Sequence, residues 1–355
     1  MNVLNSIALN SVSLRRFFGA SVAALLTVAC ADRLALAADG PVKMRLGTLA
    51  PKDTSFHQSL KVMAEKWRKA PGGGVDLVIY TDGTMGGEPD MIRRMRLGQL
   101  QAAMITVGGL YEIDGTVAAL QKMPLVYNDL DEETYVREKL QPLLQERFMA
   151  KGFVLLAWAD AGWVRFFSKT PALVPSEFKK LKMFASAGDR NHIELMQEEG
   201  YRPIPLEYTD TLTALQTGLI ETVPTTPTYA LAGQFYQTAN HMVEAKWAPL
   251  VGGIVVSRKV WDTLSQETRT ALTQAAVEAA ADIQARGRKE SDEAVEAMVK
   301  RGLVVHRLTP EQQAEWTAYG AQVQPKVRGK IVPAEIFDKV MKLLEEYRAA
   351  HPAAK

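Results

Sequence analysis

Residues 206–227 read LEYTDTLTALQTGLIETVPTTP. The stretch spells a helix, a stop and a strand. Thr209 or Asp210 is placed to cap the helix, because a short side-chain oxygen there accepts from the first free backbone N–H groups. Leu212 and Leu215 share a helical face. Gly218 offers the left-handed residue that ends a helix. An extended run follows, and Pro224, Thr225, Thr226 and Pro227 break it. Residues 88–109, EPDMIRRMRLGQLQAAMITVGG, repeat this order with Gly98 in the role of Gly218. Aligned on the two glycines, which are 120 residues apart, MRLGQLQAAMIT lies over LQTGLIETVPTT. Two like helix–glycine–strand units predict two lobes built alike. Ligands of open α/β sheets sit beyond the carboxyl ends of the strands. Thr106 of one unit, and Thr225 and Thr226 of the other, fall there.

The first 37 residues read as a secretory signal peptide. Arg15 and Arg16 precede an apolar run over 17–29, and Ala35-Leu36-Ala37 supplies the small-residue cleavage site. The arginine pair in SLRRFF also fits a twin-arginine signal loosely, and Cys30 leaves lipidation open. Cys30 is the only cysteine, so cleavage after Ala37 leaves no disulfide, thiol nucleophile or cysteine metal site. The remaining roughly 318 residues suit two domains. A hydrophobic share of 47% is enough to fill their cores. With 42 basic and 40 acidic side chains, the chain shows no electrostatic footprint for nucleic acid.

Strands alternate with helices along the rest of the chain, which predicts an α/β class. Val42, Met44 and Leu46 alternate as a first strand, a helix is expected over 55–69, and Val75, Leu77 and Ile79 form the second strand. Residues 111–129 look irregular, and 131–151 helical. Strands are expected at 153–157 and 164–168, where the chain first crosses between lobes, and at 182–185. Helices are expected over 191–199 and 228–238, and 251–257 reads as a buried strand returning to the first lobe. A long helix over 266–301, a strand over 303–307 and two more helices finish the chain. Two crossings imply a hinge and a cleft.

Several segments resemble the solute-binding proteins of TRAP transporters, the DctP-like extracytoplasmic receptors. They are GTLAPKDTSFHQ at 47–58, GTMGGEPDMIRRMRLGQLQAAM at 83–104, MPLVYND at 123–129, GWVRFFS at 162–168, LTALQTGLIE at 212–221 and VVSRKVWDTL at 255–264. Their order and spacing together carry the resemblance. It implies a two-lobed periplasmic binding protein fold with a hinge cleft, a long helix bracing both lobes, and an organic acid handed to sodium-coupled membrane subunits. On this scheme residues 1–37 are the signal peptide, 38–163 and 256–310 form a discontinuous lobe 1, 164–255 form lobe 2, and 311–355 are C-terminal helices packing on the lobes. A monomer in the periplasm, without cofactor, is expected.

The resemblance also implies site residues. Arg165, in GWVRFFS, matches an arginine that contacts the ligand's carboxylate, for which a planar guanidinium fork is suited. The family's lysine–apolar–arginine strand reads Lys182-Met183-Phe184, so Phe184 stands where a second arginine is usual. The family's asparagine ligand is replaced by Thr225, after Pro224. Both changes make the site less polar and point to a monocarboxylate with an apolar or aromatic body. Trp163, Phe184, Tyr229 and Trp247 are expected as flat walls and Thr106 and Thr225 as polar contacts, although core packing and strand ends account for the same residue types. His57, His192, His241, His306 and His351 show no metal spacing and read as structural or solvated. Glu221 and Asp189 could contribute to a cation site beside the ligand, and nothing in their spacing demands one.

An exported enzyme is the weaker alternative, because the mature chain has no G-x-S-x-G, no H-E-x-x-H and no cysteine. A ligand sensor feeding a membrane signalling protein has the same fold and the same site, and the residues do not separate it from a transport receptor.

Overall fold

The computed structural model describes residues 41–352. The expected signal peptide lies outside them.

Strand β1 (Val42–Thr48) buries Met44 and Leu46 and exposes Lys43 and Arg45. Helix α1 (Ser55–Arg68) carries it to a parallel neighbour, β2 (Val75–Tyr80). Phe56, Leu60, Met63 and Trp67 form the buried stripe of α1, the spacing a 3.6-residue period requires. Helix α2 (Glu88–Arg96) runs to Gly98, whose φ of 74° lets the chain turn into β3 (Ala102–Thr106). Helix α3 (Leu130–Ala150) opens on Asp129, whose carboxylate accepts from the N–H groups of Asp131 and Glu132. Then come β4 (Phe153–Trp163) and β5 (Arg165–Ser168), separated by Val164 alone.

The second lobe starts with β5 and continues through β6 (Lys182–Ser186), helix α4 (Arg190–Glu198), β7 (Arg202–Leu206) and helix α5 (Thr211–Thr217). Gly218, at φ 73°, repeats the turn of Gly98 and leads into β8 (Thr222–Thr225). Helix α6 (Pro227–Ala232) and β9 (His241–Val243) precede the return strand β10 (Pro249–Ser257). Helix α7 (Gln266–Val299), β11 (Val304–His306), helix α8 (Pro310–Val327) and helix α9 (Ala334–Ala350) complete the chain.

The strands form two mixed sheets, ordered β2-β1-β3-β10-β4 and β11-β9-β5-β8-β6-β7. The two crossing segments run side by side. Val164 N–H donates to Ala248 O at 2.9 Å and Trp247 N–H to Val164 O at 3.3 Å. Helix α7 spans 34 residues, about 50 Å at 1.5 Å per residue. Its first half packs Leu272, Ala275, Ala276 and Ala279 on the core of the first sheet, and its end puts Met298 into the core of the second. Buried Asp160 of β4 receives Arg288 of α7 at 3.3 and 3.0 Å, an ion pair that seats the helix against the first sheet.

Several expectations shift. Residues up to 310 were assigned to lobe 1, yet β11 pairs with β9 in the second sheet, so α7 is itself a third connection between the sheets. Neither Thr209 nor Asp210 caps α5 with its side chain, because Tyr208–Asp210 forms a 3-10 turn ahead of it. The helix expected over 228–238 stops at Ala232, and a 3-10 turn, Phe235–Gln237, follows. Strand β7 was not anticipated, because Pro203 and Pro205 break the pattern of RPIPL. It lies at the sheet edge, where a missing N–H costs no ladder bond. Pro224 is tolerated in β8 for a related reason. The only β8–β6 pair is Met183↔Thr222, so Pro224 lies past that ladder's end.

Candidate functional site

A cavity of about 260 Å³ lies where the carboxyl ends of β3 and β8 approach each other. Residues of the first lobe (Glu88, Thr106, Lys122), of the second (Phe184, Tyr208, Thr225), of the crossing segments (Val164, Trp247) and of α8 (Tyr319, Val323) line it. Its rims touch. A Cβ on Gly87 would stand 2.1 Å from Glu207 Oε2, and one on Gly188 would stand 2.5 Å from Pro89 Cγ, so glycine is what lets the lobes meet here.

On the first lobe the floor is built around Glu88. Its Oε1 accepts from Thr106 N–H at 2.7 Å, and its Oε2 accepts from Thr106 Oγ1 at 2.6 Å and Gly109 N–H at 2.9 Å. Burial pushes this carboxyl up from the usual range, and the Thr106 and Gly109 donors and the Lys122 ammonium oppose that. Thr106 lines the cavity as expected, but its hydroxyl is committed, donating to Glu88 and accepting from Gly108 N–H at 3.1 Å. Its work is to hold Glu88.

On the second lobe the walls are aromatic. Phe184 meets Tyr208 edge-on at 6.0 Å, Tyr208 meets Tyr229 at 5.8 Å, and Tyr229 leans on Phe56 of α1 at 5.7 Å. Trp247 packs edge-on against Phe166 at 5.4 Å and stacks with Tyr319 at 6.1 Å. Phe184, Tyr229 and Trp247 all line the cavity, and Thr225 does too, its Oγ1 3.3 Å from the Tyr208 hydroxyl. Burial raises the phenol pKa of both Tyr208 and Tyr229, so both stay neutral.

Two of the expected ligand contacts, Arg165 and Trp163, lie off this cavity's lining. In β5 it is Phe166 that reaches the cavity and packs on Phe178, Trp247 and Trp316. Arg165 is not among the lining residues. Burial lowers its guanidinium pKa, while Glu244 and Asp292 pull the other way. Trp163 is buried in the core, with the Lys246 ammonium 5.6 Å from its ring centroid.

The cation that the structure brings to the cavity is Lys122, which follows the 3-10 turn Gly115–Leu120. Its Nζ lies 2.7 Å from Asp189 Oδ2 and 4.0 Å from the Tyr111 ring centroid. Asp189 caps α4, accepting from His192 N–H at 3.4 Å. Burial works to raise the Asp189 carboxyl, yet His192 and Lys122 beside it hold it below the usual range. His192, read from the sequence as structural or solvated, also lines the cavity. Burial lowers its pKa and Lys122 adds to that, with Asp189 opposing, so it is neutral near pH 7. Sequence reasoning passed over Lys122 because a lone lysine beside MPLVYND has the look of a solvated residue. Asp189 was weighed only as a cation ligand. His241 and His306 also meet, Nδ1 to Nε2 at 3.0 Å, on the β9–β11 pair and not at the cavity. Among the described residues no group of three or more His, Cys, Asp or Glu is placed to hold a metal, and no helix is long and apolar enough to cross a membrane.

Two α/β lobes, joined by paired crossing segments and closed over one such cavity, define a two-lobed solute-binding protein. Residues 46–329 match the family model described as DctP, bacterial extracellular solute-binding protein, family 7. The chain belongs to this family of solute receptors. It is 23% identical over 304 residues to the C4-dicarboxylate-binding periplasmic protein DctP of Rhodobacter capsulatus, covering 85% of this chain and 90% of the relative. The fold is similar to that of a TRAP periplasmic solute binding protein from Shewanella oneidensis with bound succinate, with a TM-score of 0.79, 18% identity and coverage of 86% and 100% of the two chains. It is also similar to one from Desulfovibrio salexigens with bound orotic acid, with a TM-score of 0.78, 20% identity and coverage of 87% and 99%.

Proposed function

We propose that this receptor captures an organic acid with an apolar or aromatic body in the inter-lobe cleft and delivers it to the membrane subunits of a TRAP-type transporter. The observation that carries the reading is the cavity lining. Phe166, Phe184, Tyr208, Tyr229 and Trp247 supply flat apolar surface, no arginine is among the lining residues, and Lys122 stands at one side. Burying one aromatic ring against such walls contributes on the order of 2 kcal/mol. An acid group leaving water needs a cation, and Lys122 is the lysine at hand. The relatives named above bind a C4-dicarboxylate, succinate and orotic acid, so their ligands range from small aliphatic diacids to an aromatic acid.

Ligand binding then shifts a hinge equilibrium. Lys122 and Glu88 come from one lobe and Phe184 and Thr225 from the other, so a ligand touching all four binds the closed form better and populates it. The paired segments at Val164 and Trp247 take up the bend.

A thermal-shift panel of organic acids tests the reading, since a ligand bound only by the native state raises Tm. Aromatic or branched apolar monoacids should raise it more than succinate does. A larger shift with succinate than with any apolar acid would refute the proposed ligand class.

A further inference from the structure

The cavity holds carboxyl groups beside its one lysine, and of these Asp189 is held below the usual range while burial raises Glu88 and Glu207. Glu88, Asp189 and Glu207 line it alongside Lys122 and neutral His192. Glu199 also lines it but is neutralised by Lys326 of α8. Lys122 and Asp189 are both well buried, at 7% and 14% exposure, and they come from opposite lobes. Lys122 Nζ is 2.7 Å from Asp189 Oδ2, one contact for an ammonium that has three N–H groups to give. The cleft therefore presents a buried ammonium with donors to give, next to a buried carboxylate with lone pairs to fill.

We propose that the Lys122–Asp189 pair is the cleft's charge-recognition element, and that it selects a zwitterion: an acid bearing an ammonium group near its carboxylate and an apolar side chain. The proposal rests on the receptor reading above and narrows its ligand class. A plain carboxylate drawn to Lys122 meets Asp189, 2.7 Å from that ammonium, and like charges in a poorly solvated site repel strongly. A ligand ammonium set on Asp189 removes that repulsion and fills its free lone pairs. Ligand carboxylate and ammonium then replace the direct Lys122–Asp189 contact by two charge-assisted contacts. The apolar side chain then lies against the aromatic walls, Phe184 and Tyr208 among them.

Calorimetric titration of the exported chain with matched pairs tests this. The pairs are L-phenylalanine against 3-phenylpropionate and L-leucine against 4-methylpentanoate. The amino acid of a pair should bind at least tenfold more tightly. Asp189→Asn keeps the helix cap, since asparagine caps as well as aspartate, and should shrink that ratio to about threefold or less. Lys122→Met should weaken the amino acid by a hundredfold or more. If the desamino acids bind as tightly as the amino acids, the zwitterion inference fails while the acid receptor stands. If Asp189→Asn weakens both members of a pair alike, the ion pair is only a latch between the lobes and the inference fails. If no acid of either kind binds, the acid-receptor reading itself falls, and this inference with it.

Discussion

Lys122 and Asp189 meet at 2.7 Å across the cleft, one from each lobe, and both are buried. A buried ion pair contributes little net stability, but breaking it leaves an unpaired charge out of water. Lys122→Ala should therefore destabilise the protein by about 3–5 kcal/mol. Urea denaturation of the ligand-free protein measures this. A loss under 1 kcal/mol would mean that the pair opens to solvent when no ligand is present.

Arg165 makes the opposite case. It is absent from the cavity lining, so Arg165→Ala should change ligand affinity by less than about 1 kcal/mol, the range of an indirect charge effect. Phe184→Ala, which strips a cavity wall, should cost about 1–2 kcal/mol with an aromatic ligand and less with an acyclic one. Titration calorimetry on the two variants compares them directly. A hundredfold loss at Arg165 would restore the salt bridge that the family resemblance implies.

His192 sets a pH dependence. Its folded pKa lies below the ordinary 6.5, so the unfolded chain binds the proton more readily. Its contribution to stability is present in full above about pH 6.5 and is lost as pH falls through the folded value. Stability in urea should drop between pH 7.5 and pH 5, and His192→Gln should flatten that drop. Some slope remains in the variant, because burial and His306 depress His241 in the same direction. An unchanged slope in His192→Gln would show that His192 is solvated.

Two glycines separate crowding from backbone strain. A Cβ on Gly109 would lie 2.6 Å from Glu88 Cβ and 3.0 Å from Ile105 Cδ1. Gly109→Ala should cost about 1–3 kcal/mol through overpacking and should disturb the Glu88 floor. Gly98 has open space around it but a φ of 74°, so Gly98→Ala should cost about 1–2 kcal/mol from the left-handed backbone alone and leave ligand affinity unchanged. Chemical denaturation and ligand titration on both variants read the two effects. Equal loss of affinity in both would refute the distinction.

What the chain determined by itself was local. Gly98 and Gly218, at φ 74° and 73°, end their helices as the repeated grammar requires, and Thr106 and Thr226 both occupy the N-cap position of the short helix that follows their strands. Alternation marked β1 and β2, and the family resemblance pointed to Phe184, Thr225, Tyr229 and Trp247, which line the cavity. Caps, turns and periodicities are written within a few neighbouring residues, so a sequence displays them. Tertiary structure decided what depends on distant segments. Phe166 reaches the cavity and its neighbour Arg165 does not, a difference a motif match does not carry because it depends on how distant segments pack around β5. The prolines of β7 argue against a strand until the sheet order shows it at an edge. Lys122 and Asp189 are far apart in the chain and unremarkable in composition. Only the closure of one lobe on the other buries them together, and burial is what turns two ordinary charges into a tight ion pair.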